Sequence, residues 1–197
     1  MINIGLFVED DAHERFIKRF IKRFAEKYNV TYAISMRMVT GGYGAVIQEL
    51  DSYVRDLNRM HTSYFDTIII VKDANCSRWQ DMRRKIVRKF TQFNTIFAIP
   101  EPHIERWYLI DPSAIKKVIG QGYTTPSGKC GKNTRDYYKQ ELYHAINQVG
   151  INPPLGGIEY AEDIVDNIDL DRVDWEDQSF SKFLNEMNNF FKHIEAV

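Results

Sequence analysis

Four short apolar segments, rich in β-branched residues, alternate with segments of helical periodicity over the first hundred residues, and this alternation constrains the fold more than any other feature. Ile2–Val8, residues 30–39, Thr67–Val71 and residues 94–99 read as strands. Between the first two, Phe16, Ile17, Phe20, Ile21, Phe24 and Tyr28 fall on one helical stripe. The opposite side carries Arg15, Lys18, Arg19, Lys22, Arg23 and Lys27. A second helix over residues 45–60 turns Val46, Leu50, Val54 (or Tyr53) and Leu57 inward. A third, over 77–93, uses Trp79, Met82, Ile86, Phe90 and Phe93, with Arg83, Arg84, Lys85, Arg88 and Lys89 outside. Thr67–Val71 is apolar without alternation, as a strand covered on both faces should be. Strands that alternate with helices predict a mostly parallel four-stranded sheet, a Rossmannoid α/β core over residues 1–100.

After Pro100 the strand signal stops. Pro102 suits a first helical turn, and short helices follow over 104–109 and after Pro112. Residues 133–149, 158–168 and 179–194 read as further helices, so residues 101–197 form a mainly helical C-terminal part packed on the core. The 197 residues, 44% of them hydrophobic, are enough to bury a sizeable core. No apolar run approaches the roughly 20 residues of a membrane span, and two cysteines make no disulfide framework. A cytoplasmic protein without membrane association is expected. Residues 1–90 hold 16 basic and 11 acidic side chains, whereas residues 158–197 hold 3 and 11. The basic body could meet an anionic partner; the acidic run 159–177 could face solvent, dock on the body or bind a partner.

In an open parallel sheet, ligands bind outside the carboxyl ends of the strands. The first strand hands over to Glu9, Asp10 and Asp11, the third to Lys72, Asp73 and Asn75, and the fourth to Glu101 and Glu105. The i, i+4 spacing of Glu101 and Glu105 would place both on one helical face. Any one of these acids could be an ordinary cap. Together they suggest a site for a hard divalent cation, Mg²⁺ or Mn²⁺, which relieves the mutual repulsion and takes oxygen ligands. Asp11, Glu101 and His103 are secondary candidates, His103 being the histidine read as lying beside the acids.

The order of "GLFVEDDAHERF", "IIIVKDANCSRW", "IPEPHIERWYLID" and "AEDIVDNIDL…SFSKFLNEM" resembles the TOPRIM domain. It is most similar to a small bacterial and phage-associated TOPRIM-like family related to the overcoming-lysogenization-defect nucleases. The resemblance covers most of the chain. It implies a Mg²⁺-dependent phosphodiesterase, a nuclease on DNA or RNA, in antiphage defence or a mobile element, with a possible ATPase partner or homo-oligomer. By position, Glu9 would act as acid/base or ligand, Asp73 as the leading acid of a D-x-D element, and Glu105 as a third acid. The departure is Asn75, a neutral ligand where the second acid would stand. The alternative is a non-catalytic binding or regulatory module with a degenerate metal site.

"TGGYG" could present the backbone of Gly41, Gly42 and Gly44 to a phosphate at a helix start, with Lys72 as a further phosphate contact. Residues 122–130, "GYTTPSGKC", miss the P-loop spacing and lack a preceding strand, which excludes a nucleotide site of that type. Cys76 has no histidine partner in sequence. The basic helix faces could contact a phosphate backbone or simply be solvated. Trp107, Tyr108, Tyr137 and Tyr138 could stack on bases, although core packing is the plainer use of such residues.

Overall fold

A computed structural model describes residues 1–39, 43–59, 64–75, 77–120, 136–172 and 175–195. Four parallel strands, β1 (Ile2–Val8), β2 (Tyr32–Met38), β3 (Thr67–Val71) and β4 (Thr95–Ala98), lie in the order β2-β1-β3-β4. The helices α1 (Asp11–Lys27), α2 (Tyr43–Arg59) and α3 (Trp79–Val87) connect them. The α/β class and the parallel Rossmann-like sheet therefore follow the alternation of the sequence.

The chain moves from β1 to β2 on one side, then crosses back to β3 on the other. Connections of one hand then put successive helices on opposite faces. The stripe of α1 packs with Ile4, Leu6 and Val8 in one core, whereas α2 and α3 pack with Phe7, Ile68 and Ile70 in another. The reversal opens a crevice between the carboxyl ends of β1 and β3.

Gly5 marks a close approach within the second layer. A Cβ there would lie 2.7 Å from the Tyr53 hydroxyl and 3.3 Å from the Phe65 ring, so only glycine lets α2 sit this low on β1.

Beyond β4 the described chain is helical: α4 (Ile104–Tyr108), α5 (Pro112–Ile119), α6 (Tyr137–Asn147), a 3-10 turn (Ile158–Tyr160), α7 (Ala161–Asn167) and α8 (Gln178–Glu195). These helices share the α1-side core, where Trp107, Tyr108, Phe180, Phe183 and Phe191 are buried against Phe16, Phe20 and Phe24. Trp107 and Tyr108 are thus packing residues and are closed to base stacking. Helix α4 begins at Ile104 with His103 as its N-cap, so Pro102 and Glu101 precede the helix. The expected shared face for Glu101 and Glu105 does not form.

Half of the basic side of α1 is spent on the C-terminal segment around α7. Arg19 pairs with Asp166 and Glu162, and Lys27 with Asp171. Arg23 donates to the carbonyls of Val165 and Ile168 at the end of α7. Helix termini leave such carbonyls without intrahelical partners, and a guanidinium answers two at once. On α3, Arg83 pairs with Glu186 of α8, and just past its end Lys89 pairs with Asp51 of α2. Internal docking, which is neither of the two uses expected for these faces, engages Arg19, Arg23 and Lys27, half of the six basic residues on that side of α1.

Candidate metal centre

Asp10 accepts hydrogen bonds from the backbone amides of Ala12 and His13 and so caps α1. Its Oδ1 is also 2.6 Å from Nδ1 of His13. The other ring nitrogen, Nε2, lies 2.9 Å from Oδ1 of Asp73 at the end of β3. His13 is completely buried. An imidazole with a carboxylate at each nitrogen donates twice and is therefore an imidazolium. Burial opposes that charge, but Asp73 and Asp10 outweigh it and hold the pKa of His13 well above 6.5.

Asp73 is only 7% exposed, and its position is fixed from two strand ends. The segment after β3 runs beside the one after β4 through Ala74 N–H to Pro100 O at 2.8 Å and Asn75 N–H to Pro102 O at 3.0 Å. This brings α4 onto the carboxylate. Ile104 N–H donates to Oδ1 at 2.9 Å and His103 Nδ1 lies 2.9 Å from Oδ2. Burial raises the cost of the Asp73 charge, but His13 and then His103 more than offset it and hold the carboxyl far below its ordinary range.

Glu9 completes the group from the end of β1. Its Oε2 accepts from Lys72 Nζ at 3.1 Å and from Asp73 N–H at 3.3 Å. One ligand atom from each of Glu9, His13 and Asp73 lies within 4.8 Å of the others, close enough to hold a metal ion. The donor set of two carboxylates and one imidazole suits a divalent cation. Asp10 on the far nitrogen of His13 supplies the outer carboxylate that commonly orients a metal-binding histidine. Two further buried atoms near Asp73, His103 Nε2 and Glu105 Oε2, have no hydrogen-bond partner among the described residues. Glu105 is held up from the ordinary carboxylate range by burial and then by Asp73, while Lys139, 3.9 Å away, pulls the other way.

Glu9 and Glu105 reach an open cleft of about 590 Å³, whose rim includes Asp11, Lys139 and the half-exposed Leu155. The structure thus brings together Glu9, Asp73, Glu105 and His103 of the expected set, with Glu105 and His103 beside the three-residue group rather than in it.

Three expectations are corrected, for Lys72, Glu101 and the choice of histidine, while Asn75 shows a structural use beside the expected one. Lys72 is completely buried against Glu9, so it positions that carboxylate and cannot meet a phosphate. Asn75 adopts a left-handed backbone (φ 50°), and its amide donates to the Asp73 carbonyl at 3.2 Å. A carboxylate has no proton to give there, which explains an amide at a turn tolerant of either residue. Glu101 accepts from Trp79 N–H at 2.8 Å and answers the first amide of α3. The histidine closest to the acids in function is His13, not His103 alone. Its signal was positional: it lies on the apolar stripe of α1, three and four residues before Phe16 and Ile17, and four after Glu9.

Asp11 stays exposed at the cleft. Gly44 falls in the first turn of α2, while Gly41, Gly42, Cys76 and residues 122–130 lie outside the described residues.

Fold and site together define an α/β protein with a Glu–His–Asp group at the switch point of a parallel sheet. The chain belongs to the family described as Domain of unknown function (DUF4276), whose model matches residues 8–188. Neither the curated proteins nor the solved structures gave a match. Among the described residues, no helix is long and apolar enough to cross a membrane.

Proposed function

We propose that this protein is a divalent-metal-dependent phosphodiesterase, a nuclease of the TOPRIM type acting on DNA or RNA. The observation that carries the reading is the convergence of Glu9, His13 and Asp73 at the sheet's switch point, beside a cleft reached by Glu9 and Glu105. The order of motifs along the chain supports the TOPRIM type. A role in antiphage defence or a mobile element, beside an ATPase partner, rests on that resemblance only.

Glu9, His13 and Asp73 would hold the cation. When bound, such an ion supplies Lewis-acid stabilisation of a phosphoryl oxygen and a water activated near neutral pH. The chain's own groups prepare that role. Asp10 would keep the proton on Nδ1 of His13 once Nε2 gives up its own, Lys72 holds Glu9, and His103 with the Ile104 amide holds Asp73. Glu105, with its raised pKa, can carry a proton toward the cleft, and Lys139 beside it can meet a phosphate oxygen. The imidazole favours Mn²⁺ over Mg²⁺, because Mg²⁺ prefers oxygen ligands while imidazole suits the later ions.

The test is cleavage of a panel of single- and double-stranded DNA and RNA with Mn²⁺ or Mg²⁺. Cleavage by the native protein that is lost in Glu9→Gln supports the proposal. No cleavage of any substrate, or equal cleavage by Glu9→Gln, contradicts it.

One observation favours the alternative of a non-catalytic binding module. Asp73 already accepts from His13, His103 and Ile104 N–H, and Asn75 adds no charge, so the network is satisfied without an ion. On that reading metal ions leave the melting temperature unchanged.

A further inference from the structure

The two edges of the sheet are treated differently. At the β4 edge, α8 lies alongside the strand, and Oε2 of Glu186 accepts from Phe97 N–H at 3.1 Å. Arg83 holds the other oxygen of that carboxylate. The edge is therefore closed by a helix and a side chain that takes up a strand donor. Among the described residues, no strand pairs with the outer edge of β2.

Which groups face outward from β2 follows from its pairing with β1. The ladder is continuous from Ile2 with Tyr32 to Val8 with Met38. It is bounded by Ile2 N–H to Thr31 O at 2.9 Å and Val39 N–H to Val8 O at 3.1 Å. Successive residues of a strand point their backbone groups to alternate sides. Odd-numbered residues of β2 therefore face β1, and Tyr32, Ile34, Met36 and Met38 present their N–H and C=O groups outward.

An unpaired edge of this length is usually blunted by proline, lysine, a bulge or a covering element. The strand "YAISMRM" has neither proline nor lysine, and its pairing shows no bulge. Its one charge, Arg37, is drawn back to Glu49 and Asp56 of α2. Ala33, Ser35 and Met36 are exposed, Met36 at 41%.

We propose that the β2 edge is the interface with a second copy of this chain. The two strands would run antiparallel about a two-fold axis at Ser35, joining the sheets of both copies into one. The strand itself selects this occupant and register. Ser35 is the midpoint of Tyr32–Met38, so a two-fold there pairs all seven residues. The parity is also right: Ile34 meets Met36 and Tyr32 meets Met38, both pairs built from residues with outward backbone groups. Ser35 faces Ser35 at a non-hydrogen-bonded position. On one face the pairing covers Met36 with Ile34. On the other it sets small Ala33 against Arg37, so the two arginines do not oppose each other. A homodimer uses one patch twice, and this strand is complementary to itself.

The experiment is light scattering on a sizing column, with protein from about 1 to 100 µM to reach interfaces of micromolar affinity. The expected mass is twice 23.2 kDa for the native chain and 23.2 kDa for Met36→Lys. Met36→Pro, which removes an outward N–H and spares the bonds to β1, should behave likewise. Both variants should keep the native circular dichroism. Ser35→Cys supplies a second readout. Facing residues at a non-hydrogen-bonded site sit about 4.5 Å apart at Cα, within disulfide range. Mild oxidation should cross-link Ser35→Cys well beyond the native chain, which itself carries Cys76 and Cys130, and adding Met36→Pro should abolish the excess. A native mass of 23.2 kDa at every concentration, a dimer that persists in folded Met36→Lys and Met36→Pro, or cross-linking equal to native overturns the proposal.

Discussion

Nε2 of His13 lies 2.9 Å from Oδ1 of Asp73, across 60 residues of sequence, and both groups are charged in the absence of metal. The proton between them stands where a cation would be bound, so apo stability and metal uptake compete for the same atoms. The folded pKa of Asp73 is depressed, so its stabilisation is present above about 3.8 and lost as pH falls through the lower folded value. The folded pKa of His13 is raised, so its contribution is complete below 6.5 and lost as pH rises through the higher folded value. The advantage of the native protein over His13→Gln, measured by melting with chelator present, should be greatest between pH 4 and 6.5 and shrink above it. A difference that is flat from pH 5 to 9 would show that the pair is not charged in this way.

Asn75→Asp should separate the two needs of the site. The left-handed turn accepts aspartate, but the donor to the Asp73 carbonyl is lost and a charge is added beside an existing one. Melting without metal should show a loss of about 1–2 kcal/mol, while titration with Mn²⁺ should show tighter binding than in the native chain. Weaker binding would mean that the turn, and not the missing charge, limits the site.

Much of this arrangement can be read from the chain. The strands are legible because a buried parallel sheet demands unbroken β-branched runs, and the carboxyl-edge positions of Glu9 and Asp73 follow from where those runs end. Glu101 misleads because an acid just after a strand can answer the first amide of a distant helix, and its partner, Trp79, lies 22 residues away. Lys72 misleads because a lysine after a strand reads as exposed unless its buried partner is known. His13 is hidden by its own helix: on the apolar stripe of α1 it looks like packing, and only the strand order brings Asp73 to it. The docking of α7 and the segment after it on α1 depends on charge pairs 144 and 147 residues apart, which local periodicity does not encode.

Gly5→Ala should cost about 1–3 kcal/mol through overpacking against Tyr53, read from denaturant unfolding. The Tyr53 hydroxyl is buried without a hydrogen-bond partner among the described residues, and burial pushes its pKa up to about 12. Tyr53→Phe should therefore leave stability equal or slightly higher, and it should soften the Gly5→Ala penalty. Additive penalties in the double variant would place the strain elsewhere.

Arg23→Met retains the length of the side chain but removes its bonds to Val165 O and Ile168 O. Losing charge-assisted bonds to two terminal carbonyls should cost about 1.5–3 kcal/mol. Hydrogen exchange should rise in α7 before it rises in β1. Uniform loosening of both would count against a local docking role.

The claim that Glu9, His13 and Asp73 form a metal centre is tested most directly by calorimetric titration of Mn²⁺ into the metal-free native protein and Glu9→Gln. Glu9 is the choice because it reaches the cleft and its amide analogue can still accept from Lys72. Saturable binding to the native chain is expected, with release of the His13 proton, and at least about tenfold weaker binding in Glu9→Gln, or about 1.4 kcal/mol. Absence of binding to the native chain, or equal binding to a folded Glu9→Gln, would contradict it.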